Sequence, residues 1–237
     1  GSHVFIHVHE NEVTSLAAGK QLMERFGGKL VTLQHTKDGE YQRNITFKYQ
    51  GKKYQIDPNR IFTEDTNLLI SNIELVKGKG QIQADVQTMV KGFASFIWQQ
   101  IRGYDLIIAL HNNKNEPASY KRRWLFWFKY EPDSYSVMSY IKAFGQSSES
   151  NLSCSDIYIN PAFNNSEFFI VTQRQDFDIL FKASCSVVLQ NQTPVDDGSL
   201  SVYALKNRRR YINCEAKHGN LQEQVELLTT FFNVARD

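Results

Sequence analysis

Cysteine is scarce in this chain, proline little less so, and no apolar stretch is long. The three cysteines, Cys154, Cys185 and Cys214, are odd in number and stand in no metal-ligand spacing. One disulfide at most is available, which excludes a disulfide-built scaffold. No apolar run approaches the ~18 residues needed to cross a bilayer. An excess of one charge is missing too: 27 lysines and arginines face 25 aspartates and glutamates. The balance gives no reason to expect nucleic acid or an anionic membrane as partner. There is no G-x-S-x-G elbow, no glycine-rich phosphate loop and no cysteine in a nucleophile motif. Serine hydrolases, cysteine hydrolases and nucleotide enzymes are therefore disfavoured.

What is present is an ordinary globular composition, 41% hydrophobic and 22% charged over 237 residues, enough to bury a full core. Gly1-Ser2-His3 has the look of a tag remnant. The remaining sequence starts directly on a strand-like run, which tilts the expectation towards an exported protein that has lost its leader; a cytoplasmic one stays open. Val4–Val8 reads as a buried strand. A helix follows, capped by Asn11 or Thr14, with Leu16, Ala17, Met23 and Phe26 as its apolar face and Gly27-Gly28 as its stop. Lys29–Gln34 reads as a strand, and the alternation on either side of Gln50-Gly51 as a hairpin. Residues 81–102 carry the clearest helix, and "YDLIIALHNN" reads as a strand buried on both faces. Strands at 168–172 and 186–190 bracket a helix near 174–183. "DDGSLSVYAL", "KNRR" and "YINCEA" look like a further hairpin, and residues 221–235 form a closing helix. Alternating strands and helices predict an α/β fold: a single domain over 4–237 with a mixed, mostly parallel central sheet and helices on both faces.

Polar clusters fall at three strand ends, where open α/β sheets place their ligands. They are His9-Glu10-Asn11-Glu12, His111-Asn112-Asn113, and Glu215. A catalytic zinc takes three ligands from histidine and carboxylate and keeps one position for water, whose pKa then falls to about 7. His9, Glu12 and His111 have the right chemistry, and Glu215 would serve as the proton carrier. Spacing alone does not single them out. His7 and Glu10 satisfy H-x-x-E as well, and strict alternation would put His7 on the face of His9.

"HENE" at 9–12, "DPNRIF" at 57–62, "LH" at 110–111 and "INCEA" at 212–216 together resemble the ordered motifs of the zinc carboxypeptidase superfamily. More narrowly, they resemble its aspartoacylase and succinylglutamate desuccinylase branch. The resemblance lies in the motifs and their order; the stretches between them find no match. It implies one zinc held by His9, Glu12 and His111, with His7 a bystander and Glu215 the general base and acid. It further implies that Asn59 and Arg60 hold a substrate carboxylate, for which a guanidinium fork is well shaped, and that Arg43 stabilises charge on the carbonyl oxygen.

The sequence also departs from the branch. Glu10 stands where glycine is usual, which would place an extra carboxylate beside the metal, and Pro58 where leucine is usual. The long interval before Glu215 points to an insertion at 114–165 that shapes the pocket. Tyr203 or Ser199 would line that pocket as substrate contacts. "YKRRWLFWFKY" at 120–130 mixes basic and aromatic residues, but its unbroken apolar middle reads as a strand buried on both faces rather than a nucleic-acid platform. The function expected is a zinc hydrolase, carboxypeptidase or N-acyl amino acid deacylase, acting on a small carboxylate-bearing substrate or a short peptide. The alternative is a non-catalytic binding protein on the same scaffold. Oligomeric state is not legible.

Overall fold

The structure, a computed structural model, describes residues 2–113, 119–123, 126–130, 136–140 and 153–235, with residues 119–123 and 126–130 described by backbone alone. Seven strands form the central sheet: β1 (His3–His7), β2 (Lys29–Thr32), β6 (Leu106–Asn113), β9 (Cys154–Tyr158), β10 (Phe168–Val171), β11 (Val187–Gln190) and β12 (Arg210–Lys217). Their order is β2-β1-β6-β12-β10-β11-β9. The pairs β2·β1, β1·β6, β6·β12 and β10·β11 run parallel, while β12·β10 and β11·β9 run antiparallel. The mixed, mostly parallel sheet is as expected.

Side-chain parity explains why the central strands are apolar on both faces away from their carboxyl ends. In β6, Ile107 and Ala109 enter one core while Leu106, Ile108 and Leu110 enter the other. In β12, Tyr211 goes to the first core, and Ile212 and Cys214 go to the second. The first core is closed by α3 (Ala84–Ile101), through Val86, Val90, Ala94, Ile97 and Ile101, and by α5 (Leu200–Lys206). A small antiparallel sheet adds Tyr54, Ile56 and Ile73 to it; its strands are β3 (Ile45–Tyr49), β4 (Lys52–Ile56) and β5 (Ile73–Lys77). The second core is closed by α1 (Val13–Phe26), α4 (Arg174–Lys182) and α6 (Leu221–Val234). The short α2 (Thr66–Ser71) is capped by Asp65, whose carboxylate accepts from Asn67 N and Leu68 N. Among the described residues no helix is long and apolar enough to cross a membrane. The three cysteines are free and buried.

Four local expectations are corrected. β1 begins at His3, so the supposed tag remnant reaches into the sheet, where His3 pairs with Leu106. The fully buried residues of α1 are Thr14, Ser15, Ala18, Gly19 and Leu22, with the expected Met23 and Phe26 packed half-buried beside them and Leu16 and Ala17 outside the core. Neither Asn11 nor Thr14 caps the helix, whose N-cap position is Glu12. Small residues are needed there because α1 lies close on β6: a Cβ on Gly19 would come 2.6 Å from Leu110 Cδ1. Residues 200–206 are helix α5 rather than a strand. Their S-L-S-V-Y-A-L alternation imitates a strand, but the Ser199 side chain accepts from Val202 N and starts a helical turn. Residues 120–130 are not one strand: β7 (Ser119–Arg123) and β8 (Phe126–Tyr130) pair antiparallel in a separate sheet. The expected burial of their side chains, and much of the expected insertion at 114–165, lies outside the described residues. The Gln50-Gly51 hairpin is present, with both residues at positive φ (46° and 74°), as a two-residue turn of that hand requires.

Candidate metal centre

Register brings the site together at the carboxyl end of the parallel strands. β6 and β12 pair so that Glu215 lies opposite His111, both on the parity of the first core. β1 stops at His7. The chain then turns through Val8–Asn11, closed by Glu12 N donating to His9 O at 2.9 Å, and enters α1. This turn swings His9 and Glu12 towards His111. All three are buried, and donor atoms from each lie within 4.8 Å of one another.

The three side chains are held from outside. His9 Nε2 is 2.8 Å from Asp57 Oδ1. A carboxylate only accepts, so Nε2 carries the proton and the Nδ1 lone pair is left for the centre. Nδ1 approaches Glu12 Oε1 at 2.9 Å yet makes no hydrogen bond there, leaving it an unpartnered buried atom. Glu12 Oε2 takes Asn112 N at 3.0 Å and lies 3.2 Å from His111 Nδ1, while Oε1 takes Arg43 Nη1 at 2.6 Å. Two imidazoles and a carboxylate, buried and with one nitrogen unpartnered, fit a divalent ion, and this group could hold one.

Electrostatics favour an anionic Glu12. Burial works against its charge, but His111 and His9 outweigh burial and hold its pKa well below the ordinary value. Burial also opposes charge on His9, yet Asp57 and Glu12 raise its pKa. Asp57, despite burial, is brought down to about 2, mainly by His9. Glu215 is the opposite case. Burial raises its pKa, with His111 pulling against that, and Asn213 Nδ2 donates to its Oε1 at 2.9 Å.

His9, Glu12, His111, Arg43, Asn59, Arg60 and Glu215 all line one cavity of about 650 Å3, together with Ser199 and Asp197. Ser139, Tyr140 and Ser153, from the interval expected to shape the pocket, line it too. Two expectations fall outside it. Tyr203 packs on Trp98 and Phe62 at the far side of α5, its hydroxyl donating to Glu64 at 3.3 Å. Glu10 turns away from the centre, accepting from Thr36 Oγ1 at 2.5 Å and from Gln42 N, so it adds no carboxylate beside the metal position. His7, fully buried, is tied to Thr32 Oγ1 and to the Glu12 carbonyl, each at 3.0 Å.

Sequence reasoning assigned no role to three residues that position the site. Asp57 stands within the quoted "DPNRIF" and orients His9. Asn112 spans between the α1 start, where Ser15 N donates to its Oδ1, and Gln224. Gln224, fully buried on α6, donates to both His111 O and Cys214 O and so bridges β6 to β12. A glutamine on an otherwise apolar helix face was its one signal. Asp57→Asn is expected to lower metal affinity ~10–100-fold, the usual cost of losing a residue that orients a ligand. Competition with a chelating dye measures this, and unchanged affinity would mean that His9 is set by its turn alone. No protein-family profile, curated protein or solved structure matches this chain.

Proposed function

We propose that this chain is a zinc-dependent hydrolase cleaving an amide bond of a carboxylate-bearing substrate, and that it belongs with the zinc carboxypeptidase superfamily, near its aspartoacylase and succinylglutamate desuccinylase branch. The observation that carries this reading is one cavity holding a buried His-Glu-His donor set with a buried carboxylate, Glu215, in register beside it. Zinc on His9, Glu12 and His111 would supply a Lewis acid and a water of lowered pKa.

The protein's own groups divide the remaining work. Glu215 takes the proton from water and delivers it to the leaving nitrogen. Its raised pKa suits a group that must both accept and give. Arg43, half exposed at the mouth and bonded to Glu12, supports negative charge on the carbonyl oxygen. Asn59 and Arg60 hold the substrate carboxylate on the cavity wall. N-acyl amino acids and short peptides are both within the reading.

Its test is protein purified without added metal or chelator. Near one zinc per chain, and amine release from N-acyl amino acids or short peptides that a chelator stops and zinc restores, is the expected result. Protein that stays free of zinc after zinc is added removes the mechanism.

A further inference from the structure

Arg60 already has a partner. Its Nη1 forms an ion pair with Asp197, and both side chains, each about half exposed, line the cavity that holds the metal donors. The pair is built in by the backbone on either side. Asn59 Oδ1 accepts from Leu200 N at 3.3 Å, Phe62 N donates to Gly198 O at 2.8 Å, and Thr63 Oγ1 donates to Asp196 Oδ2 at 2.9 Å. Gly198, at φ +75°, presses so close to the Arg60 carbonyl that a Cβ there would collide with it. Asp197 Oδ1 is fixed in turn by Ser199 N at 2.9 Å.

A lone carboxylate arriving at Arg60 would meet the negative charge of Asp197. A ligand end carrying an ammonium next to its carboxylate answers both: carboxylate on the guanidinium, ammonium on Asp197. Because Arg60 and Asp197 touch, the two ligand charges must be close neighbours, as they are on the single α-carbon of an amino acid. An α-nitrogen kept as a free ammonium cannot be the acylated one.

The geometry points to a substrate that is a diamino acid acylated on its side-chain nitrogen, with its unblocked α-amino-carboxylate end seated on Arg60 and Asp197. This rests on the hydrolase reading above. Water adds to the amide carbonyl carbon, the C–N bond breaks, and the nitrogen leaves with a proton from water. The products are a carboxylic acid and the free diamino acid, and water is the only co-reactant.

Two arms test it. In the first, calorimetry compares binding of 2-aminohexanoate, in both enantiomers, with binding of hexanoate. One enantiomer is expected to bind about 10-fold more tightly than hexanoate, the scale of a charge contact partly screened by solvent. Asp197→Asn keeps the acceptor for Ser199 N and is expected to erase that preference. Hexanoate binding to the wild type as tightly as either enantiomer overturns the proposal whatever the activity. In the second arm, zinc-loaded protein is given Nε-acetyllysine and 6-acetamidohexanoate, and kcat/KM is expected to favour the first by about 10-fold. Equal cleavage of both overturns the amino-carboxylate subsite and leaves the hydrolase standing. Cleavage of neither, with the binding preference intact, counts against the hydrolase and supports the subsite.

Discussion

Protein carrying His9→Ala, purified without added metal, is expected to lose bound zinc by more than the ~10–100-fold that removal of an orienting residue costs, whereas His7→Ala keeps it. The two histidines are two residues apart and both fully or nearly fully buried, so the contrast separates position from mere burial. His9 offers an unpartnered Nδ1 to the centre. Both ring nitrogens of His7 are spent on Thr32 and the Glu12 carbonyl, and burial lowers its pKa to about 4. That carbonyl also accepts from Ser15 N, Leu16 N and Ser15 Oγ, so losing His7 leaves it bonded. His7→Ala should then show as a lowered melting temperature from the void it leaves, with metal retained. Elemental analysis beside thermal melts reads both effects. The reverse outcome, zinc lost with His7 and kept without His9, would move the centre by two residues.

Glu215→Gln is expected to reduce turnover ~10²–10⁴-fold, the range for loss of a general acid–base group, while zinc content stays at the wild-type level. The amide matches the carboxylate in shape and its oxygen can still accept from Asn213 Nδ2; what it loses is the ability to carry a proton. The same variant separates an enzyme from a binding protein built on this scaffold. A binder's ligand affinity has no reason to respond to the exchange, whereas an enzyme loses turnover and keeps its ligand. Wild-type-like turnover in Glu215→Gln would remove Glu215 from the chemistry.

Much of the site was legible because its residues lie at strand ends, where local sequence decides. The apolar run before His111 forces a buried strand and so puts the histidine near its carboxyl end at Asn113. The short runs before His9 and around Glu215 act similarly. What local sequence does not encode is direction after a turn. Glu10 and Glu12 are both near the strand exit, and only the turn closed by Glu12 N on His9 O sends one inward and the other to Thr36. Tyr203 was misplaced for the same reason. Read as strand, it would share a face with pocket residues; on helix α5 it rotates onto Trp98. The α1 face was half legible: Met23 and Phe26 do pack against the second core, but Leu16 and Ala17 were favoured where close packing on Leu110 demands Ala18 and Gly19. Gln224 and Asp197 act across more than 100 residues of chain on His111 and Arg60, contacts that no short window reveals.

The strand that carries Glu215 lies in the middle of the sheet, between β6 and β10, although it is among the last elements in the chain. During synthesis the candidate donors His9, Glu12 and His111 emerge long before β12 and before the Gln224 amide that ties β6 to it. Until then, β6 and β10 have no shared neighbour, and the two halves of the sheet present open edges to one another and to other chains. The pairing that sets Glu215 opposite His111 therefore waits on a late insertion. A nascent or truncated chain ending short of residue 217 would carry the His9, Glu12 and His111 donors without Glu215 beside them, and open edges without the strand that seals them.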